Sequence, residues 1–335
     1  MRTPVIVISG FLGSGKTTLL LNLIQEITHR GIKPAILMNE LGKQDVDGYI
    51  LSHATDQLMI EKLLDGCICC SKKSEISNSI KSLLSTAPDV ILVELTGVAN
   101  PEEVVDEMSE PELLEEVFLQ KIITIIDAEN VLEYNSIFSS DKQLVHTLRR
   151  QIEVADIVVI NKKDLVNEAH LSKVIKLVKK HNDQARIFNT IHAQVDPNPL
   201  LDGLKPLKLP VKASPASAFK VLSNHSHHHG EHEHKSFSRI QTVYIPIEKN
   251  TVLSLRKTEK FLKSWGNQIV RAKGYVTLNS SSDSSLIQYA GKQLLCEPSG
   301  YSGPHYIVII GFEINEAALI EGWESQFTYK LDFFN

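Results

Sequence analysis

Three of the chain's four cysteines, Cys67, Cys69 and Cys70, fall within the pentapeptide GCICC. Thiols at this spacing can bridge, act as redox-active thiolates, or ligate a soft metal ion. Adjacent Cys69 and Cys70 could pair only with strain, and Cys67 with Cys69 would close a very small ring. Three thiolates do supply most of a tetrahedral site for Zn²⁺ or a related ion. A closed structural zinc site normally repeats the C-x₂-C pair, and this sequence holds no second pair; Cys296 stands alone. The fourth position is therefore open or borrowed, which suits a metal that must arrive and leave. Glu40, in MNELGKQDVDG, is the best candidate, with an equal rival role beside a nucleotide-bound Mg²⁺. A redox sensor stays open, because Lys72 and Lys73 would lower neighbouring thiol pKa values.

A second metal-binding signal lies far along the chain. HSHHHGEHEHK holds six of the 13 histidines, His225, His227, His228, His229, His232 and His234, interleaved with Glu231 and Glu233. Neutral imidazoles take Zn²⁺, Co²⁺, Ni²⁺ and Cu²⁺ with little selectivity, so the tract reads as a metal-collecting linker. Thiols and imidazoles together point to one ligand class, and metal is favoured over a disulfide.

The first forty residues carry a different chemistry. GFLGSGKT places Gly10, Gly13, Ser14, Gly15, Lys16 and Thr17 in the pattern G-x-x-x-x-G-K-[ST], with Thr18 next as a further binding candidate, after the apolar run VIVIS and at the start of a helical stretch. Glycines let backbone N–H groups close around phosphates, and the helix start presents its positive end to them. Lys16 would reach the β- and γ-phosphates, while the Thr17 hydroxyl would ligate Mg²⁺. DVILVELTG ends in Glu94, Thr96 and Gly97, a carboxylate for the Mg²⁺ shell and a glycine N–H for sensing the γ-phosphate. ADIVVINKKDL ends in Asn161, Lys162, Lys163 and Asp164. A carboxylate at Asp164 can accept from the ring N–H and exocyclic amine of guanine, so the nucleotide is expected to be GTP rather than ATP.

Positioning these groups requires strands that end where the motifs begin. Apolar runs near 5–9, 34–38, 57–63, 89–94, 119–126, 156–160 and 186–189 alternate with helical patterns at 16–30, 71–86, 141–153 and 168–181. This alternation predicts an α/β fold with a mainly parallel sheet and ligands at the carboxyl ends of its strands. A Pro-punctuated, His-rich linker over 206–236 separates this part, 1–205, from a smaller α+β part, 237–335. There FSRIQTVYIPI, QIVRAKGYVTL, SLIQYAGKQLLC and HYIVIIGF read as strands, VLSLRKTEKFLKSW as a helix and NEAALIEGW as a short one. Arg271 and Lys273 could touch the nucleotide-binding part or a client, or be ordinary solvated charges.

Composition narrows the class. Hydrophobic residues make up 42% and charged residues 22%, with a formal net charge of −5. That balance argues against a general nucleic-acid binder. No apolar run reaches the ~18 residues of a membrane span, and Gly13 and Lys16 interrupt the first one too early for a secretory leader. A cytoplasmic location, with reduced thiols, is the expectation.

Taken together, GFLGSGKTTL, NELG, GCICC, VELTG and NKKD resemble the CobW-like metal-handling GTPases, which are similar to the nickel-insertion GTPases of urease and hydrogenase maturation. FLKSWGNQIVRAKGYV and HYIVIIGFE are similar to that family's small C-terminal domain. The resemblance implies GTP hydrolysis coupled to delivery of zinc, or less often cobalt, to a client metalloprotein. A homodimer stays open, as do a passive metal buffer with a vestigial GTPase and a redox-regulated GTPase. Family members usually read close to NEFGEVGID after the second strand. Here the segment is NELGKQDVD, with Lys43 replacing a carboxylate and Asp45 a glycine, and Asp65 stands where Asn commonly precedes Gly-Cys.

Overall fold

Runs of β-branched and aliphatic residues with no polar alternation must be buried on both faces, and four such runs form the centre of the first sheet. In a computed structural model, the structure describes residues 2–38, 59–62, 73–136, 141–206, 238–248, 251–266, 268–278, 284–290 and 292–327. Strands β1 (Thr3–Ser9), β2 (Pro34–Met38), β3 (Met59–Lys62), β4 (Val90–Glu94), β5 (Val117–Asp127), β6 (Ile157–Asn161) and β7 (Arg186–Asn189) pair in the order β3-β2-β4-β1-β5-β6-β7. Every pairing in this sheet is parallel. The order reverses at β1, which lies between β4 and β5, so the crevice for a ligand opens at the carboxyl end of β1.

Helices cover both faces. Helix α1 (Lys16–His29) buries Leu19, Leu20, Leu23, Ile24 and Ile27 against one face. Helices α2 (Lys73–Leu84) and α3 (Pro101–Met108) cover the other face on the β2–β4 side. The sequence reading had no helix at 101–108, although Asn100 at the N-cap, Pro101 at the first position and two glutamates in the first turn are start signals. Seven of its eight residues are buried, four of them polar or charged or proline, and that hides the usual amphipathic stripe. After the short α4 (Val131–Tyr134) come α5 (Lys142–Glu153), capped by Asp141, and α6 (Glu168–His181), capped by Asn167. The five-residue α7 (Pro197–Leu201) packs Leu200 and Leu201 beside α1.

The second sheet runs β12-β11-β10-β13-β8 and is antiparallel, with short β9 (Val252–Leu253) alongside β10 in parallel. Its strands are β8 (Ile240–Pro246), β10 (Ile269–Leu278), β11 (Ser284–Ala290), β12 (Gln293–Pro298) and β13 (Tyr306–Phe312). The single strand expected over SLIQYAGKQLLC is in fact a hairpin. Its two arms are separated by two residues, and Lys292 there takes φ +66°, the left-handed geometry of a tight turn. Alternation along β13 divides the core: Ile307 and Ile309 pack under α8 (Leu255–Ser264) and α9 (Glu316–Phe327). Tyr306, Val308 and Ile310 join Val104, Val105 and Met108 in the core of the first sheet. Helix α9 extends past the expected GW end to seat Phe327 on Phe261.

Candidate functional site

The turn from β1 into α1 is built around left-handed glycines. Gly15, the N-cap of α1, has φ +107°, and a Cβ there would lie 2.5 Å from Asn161 Nδ2, so only glycine fits. Gly10 and Gly13 complete the loop, and Thr18 is exposed on the first turn of the helix. Lys16 is 7% exposed and donates from Nζ to the Phe11 carbonyl at 3.1 Å, folding its ammonium back over the loop. Ser14 Oγ is buried without a hydrogen-bond partner.

Across the crevice, Thr17 Oγ1 donates to Glu94 Oε1 at 2.9 Å, joining α1 to the carboxyl end of β4. Glu94 Oε2 is buried and unpartnered. Burial pushes the Glu94 carboxyl above its ordinary range and outweighs the opposing pull of the Thr17 hydrogen bond and the Lys16 charge. An orphaned carboxylate oxygen, a neighbouring hydroxyl and a loop built for phosphate suit a hard cation such as Mg²⁺. Gly97 follows in a turn closed by Ala99 N–H to Thr96 O at 3.1 Å. A Cβ on Gly97 would stand 2.6 Å from Leu12 N, so this turn lies directly on the phosphate loop.

Asn161, at the end of β6, is 3% exposed and acts as a brace. Its Nδ2 donates to Ser14 O at 2.9 Å, and its Oδ1 accepts from Ala193 N at 2.9 Å. Lys162 takes φ +61° and donates from Nζ to Asp127 Oδ2 at 2.7 Å. Burial alone would raise the Asp127 pKa, but hydrogen bonds from Lys162, Asn130 and Glu129 N hold it below the usual carboxylate range. Asp164 is exposed in a single 3-10 turn, Lys163–Leu165, on the same rim. Two contributors escaped the sequence reading. Asp127 is one, at the end of β5. The other is the loop 190–194, which docks through Ala193 on Asn161 and through the Ala193 carbonyl on Asn22 at 3.2 Å. His192 and Ala193 are both left-handed, with φ +51° and +55°, and no glycine advertises that turn.

The proposed metal donors Glu40, Cys67, Cys69, Cys70, His225, His227, His228, His229, His232 and His234 all lie outside the described residues. Among the described residues no group of three or more His, Cys, Asp or Glu side chains could hold a metal ion. The elements flanking the thiols are described, however. Strand β3 ends at Lys62, in register with Met38, which is itself in register with Glu94; α2 begins at Lys73. Strand β3 therefore ends at the same carboxyl edge of the sheet as β4 and its Glu94. Arg271 and Lys273 are not solvated charges: Arg271 Nη1 pairs with Asp106 Oδ2 at 2.9 Å, and Lys273 pairs with Glu110.

The nucleotide-binding domain model of CobW/HypB/UreG matches residues 4–189, more than half of the chain. This chain belongs to the CobW/HypB/UreG family. The cobW C-terminal domain model matches residues 244–326 as well, so the CobW-type pairing of domains is present. A zinc chaperone CobW from Sinorhizobium sp is 31% identical over 196 residues, covering 52% of this chain and 54% of the relative. A zinc-regulated GTPase metalloprotein activator 1 from Schizosaccharomyces pombe is 30% identical over 200 residues, covering 58% and 47%. The chain spans about half the length of the curated relatives it matches. The crystal structure of Zn(II)-bound YjiA GTPase from E. coli aligns over 97% of this chain and 99% of that one, at 20% identity and a TM-score of 0.47. Among the described residues no helix is long and apolar enough to cross a membrane.

Proposed function

We propose that this CobW-family chain is a GTP-hydrolysing metallochaperone of the cytoplasm, with zinc as its cargo and a client metalloprotein as recipient. In this division 1–205 binds nucleotide and carries the thiols, 206–236 collects metal, and 237–335 is the CobW-type C-terminal domain. The observation that carries the reading is the Thr17–Glu94 pair with its orphaned oxygen, facing the glycine loop and Lys16. Lys16 leaves the Phe11 carbonyl to neutralise the β- and γ-phosphates, and Ser14 Oγ has hydrogen-bonding capacity for a phosphate oxygen. Thr17 and Glu94 would hold Mg²⁺, which would supply charge neutralisation at the terminal phosphate. Gly97 offers its backbone to that phosphate, and Asp164 accepts from guanine while Asn161 fixes the loop beneath. The two relatives described as a zinc chaperone and a zinc-regulated GTPase support zinc as the cargo.

Thiol ligation would couple to the nucleotide because the connection bearing Cys67, Cys69 and Cys70 starts on the sheet edge that carries Glu94. The decisive experiment is zinc titration under reducing conditions with GDP and with a non-hydrolysable GTP analogue. A chaperone shows different zinc affinities in the two states and measurable hydrolysis of GTP in the parent, lost in Lys16→Ala. Equal zinc affinities with no hydrolysis would identify a passive buffer instead, and no tight zinc binding would identify a redox-regulated protein.

A further inference from the structure

One fully buried polar side chain is not explained by the phosphate, base or metal contacts. Gln151, on α5, is 0% exposed, yet its amide nitrogen donates to two backbone carbonyls, Gly97 O at 3.2 Å and Ala99 O at 2.9 Å. Its own Oε1 is buried without a partner. Two carbonyl acceptors require the NH₂ end, which settles the orientation of the amide. The residue is itself pinned, because Thr124 Oγ1 of β5 donates to the Gln151 carbonyl at 2.8 Å. Gly97 is thus held between the Gln151 amide behind and the Leu12 backbone in front.

A buried acceptor without a protein partner is costly, and leucine or methionine would fill this space without it. The cost is rational if the turn must be held in one conformation that its own sequence does not enforce. We propose that Gln151 is the positioning residue of the terminal-phosphate sensor, clamping the Thr96–Ala99 turn so that Gly97 is presented to the γ-phosphate of GTP. The clamp holds the carbonyls of Gly97 and Ala99, and the Ala99 N–H to Thr96 O bond holds the peptide on the other side of Gly97, so the turn is fixed at both ends. GDP, which lacks the γ-phosphate, makes no demand on this turn. This inference rests on the GTPase reading above and adds to it the part that discriminates GTP from GDP.

The test uses the full chain with Gln151→Met, which keeps the bulk and loses both donors, and Gln151→Glu, which keeps the shape and loses them when ionised. GDP affinity and the melting temperature report folding. The expected result is GDP affinity at the parent level, with affinity for a non-hydrolysable GTP analogue and kcat each reduced about tenfold or more, the loss appearing in kcat rather than in GDP binding. A purely structural role would move both nucleotides together. An unchanged GTP-to-GDP affinity ratio in both variants overturns the proposal while leaving the GTPase reading intact; a parent that neither binds nor hydrolyses GTP overturns both. Should neither variant fold, amide exchange in the parent decides. Protection of residues 97–99 should rise with the GTP analogue and not with GDP, and equal protection by the two would refute the clamp.

Discussion

At the scale of single residues, the proposed nucleotide site separates exposed groups open to a ligand from buried groups that hold its loops. Asp164 is exposed and can read a base edge, whereas Asn161 is almost wholly enclosed and spends its amide on Ser14 and Ala193. Asp127 in turn anchors Lys162. The two kinds of residue should respond differently to substitution. Asp164→Ala removes the one acceptor that pairs with two guanine donors, so GTP-over-ATP preference should fall by about 10²-fold or more with the melting temperature near that of the parent. Competition binding with the two nucleotides checks this, and an undiminished preference would remove Asp164 from the site.

Helix α3 dominates at the scale of elements. It follows the Gly97 turn directly and carries buried acids to three neighbours. Glu102 pairs with Arg150 of α5, Glu107 Oε2 accepts from Ser77 Oγ of α2 at 3.0 Å, and Asp106 pairs with Arg271 of β10. The Gly97 turn, the helix after the thiols and the second sheet are thereby joined through one helix. Glu107 is 2% exposed, and burial pushes its pKa up to about 7 against the Ser77 hydrogen bond and the Lys273 charge. A carboxyl raised in this way keeps its proton in the folded state while the unfolded chain, near 4.5, releases it. Stability from this group is therefore fullest below the unfolded value and declines as pH rises from 4.5 through about 7. Glu107→Gln should flatten that decline. Denaturant midpoints across the interval should converge for parent and variant at the acid end and diverge at the neutral end; parallel curves would show that Glu107 is not the titrating group.

For the whole molecule, the two sheets share a continuous core through Tyr306, Val308 and Ile310, reinforced by Arg271–Asp106 and Lys273–Glu110. The chain enters the second sheet at Arg239, whose backbone N–H donates to buried Asp156. A change in the Gly97 turn can thus be felt across the molecule, and linkage demands that zinc alter GTP affinity by the factor by which GTP alters zinc affinity. The two metal features should be separable on this frame. Deleting residues 225–234 should lower total zinc capacity but leave one tight site and its nucleotide dependence, because imidazoles bind zinc with little selectivity whereas three thiolates supply most of a tetrahedral site. Replacing Cys67, Cys69 and Cys70 by Ser should abolish the tight site and the dependence together. Equilibrium dialysis with each nucleotide distinguishes the two, and a tight site surviving in the serine variant would place the cargo elsewhere.

Local pattern was enough to determine the parallel α/β class and to place the glycine loop, Glu94 and the Asn161–Asp164 segment at the carboxyl ends of their strands. Each is a contiguous run whose residue types are required by backbone geometry or by the ligand's own chemistry. Apolar alternation likewise sufficed for most strands of the second sheet. Only the tertiary structure decided that Asn161 braces Ser14, 147 residues away, that Gln151 reaches back 54 residues to Gly97, and that Arg271 crosses 165 residues to Asp106. Helix α3 was hidden because its acids satisfy partners distant in the chain, and burial of charge erases the polar–apolar periodicity from which an element is read. The loop 190–194 was hidden because its left-handed turn carries no glycine and is held by Asn161 and Asn22.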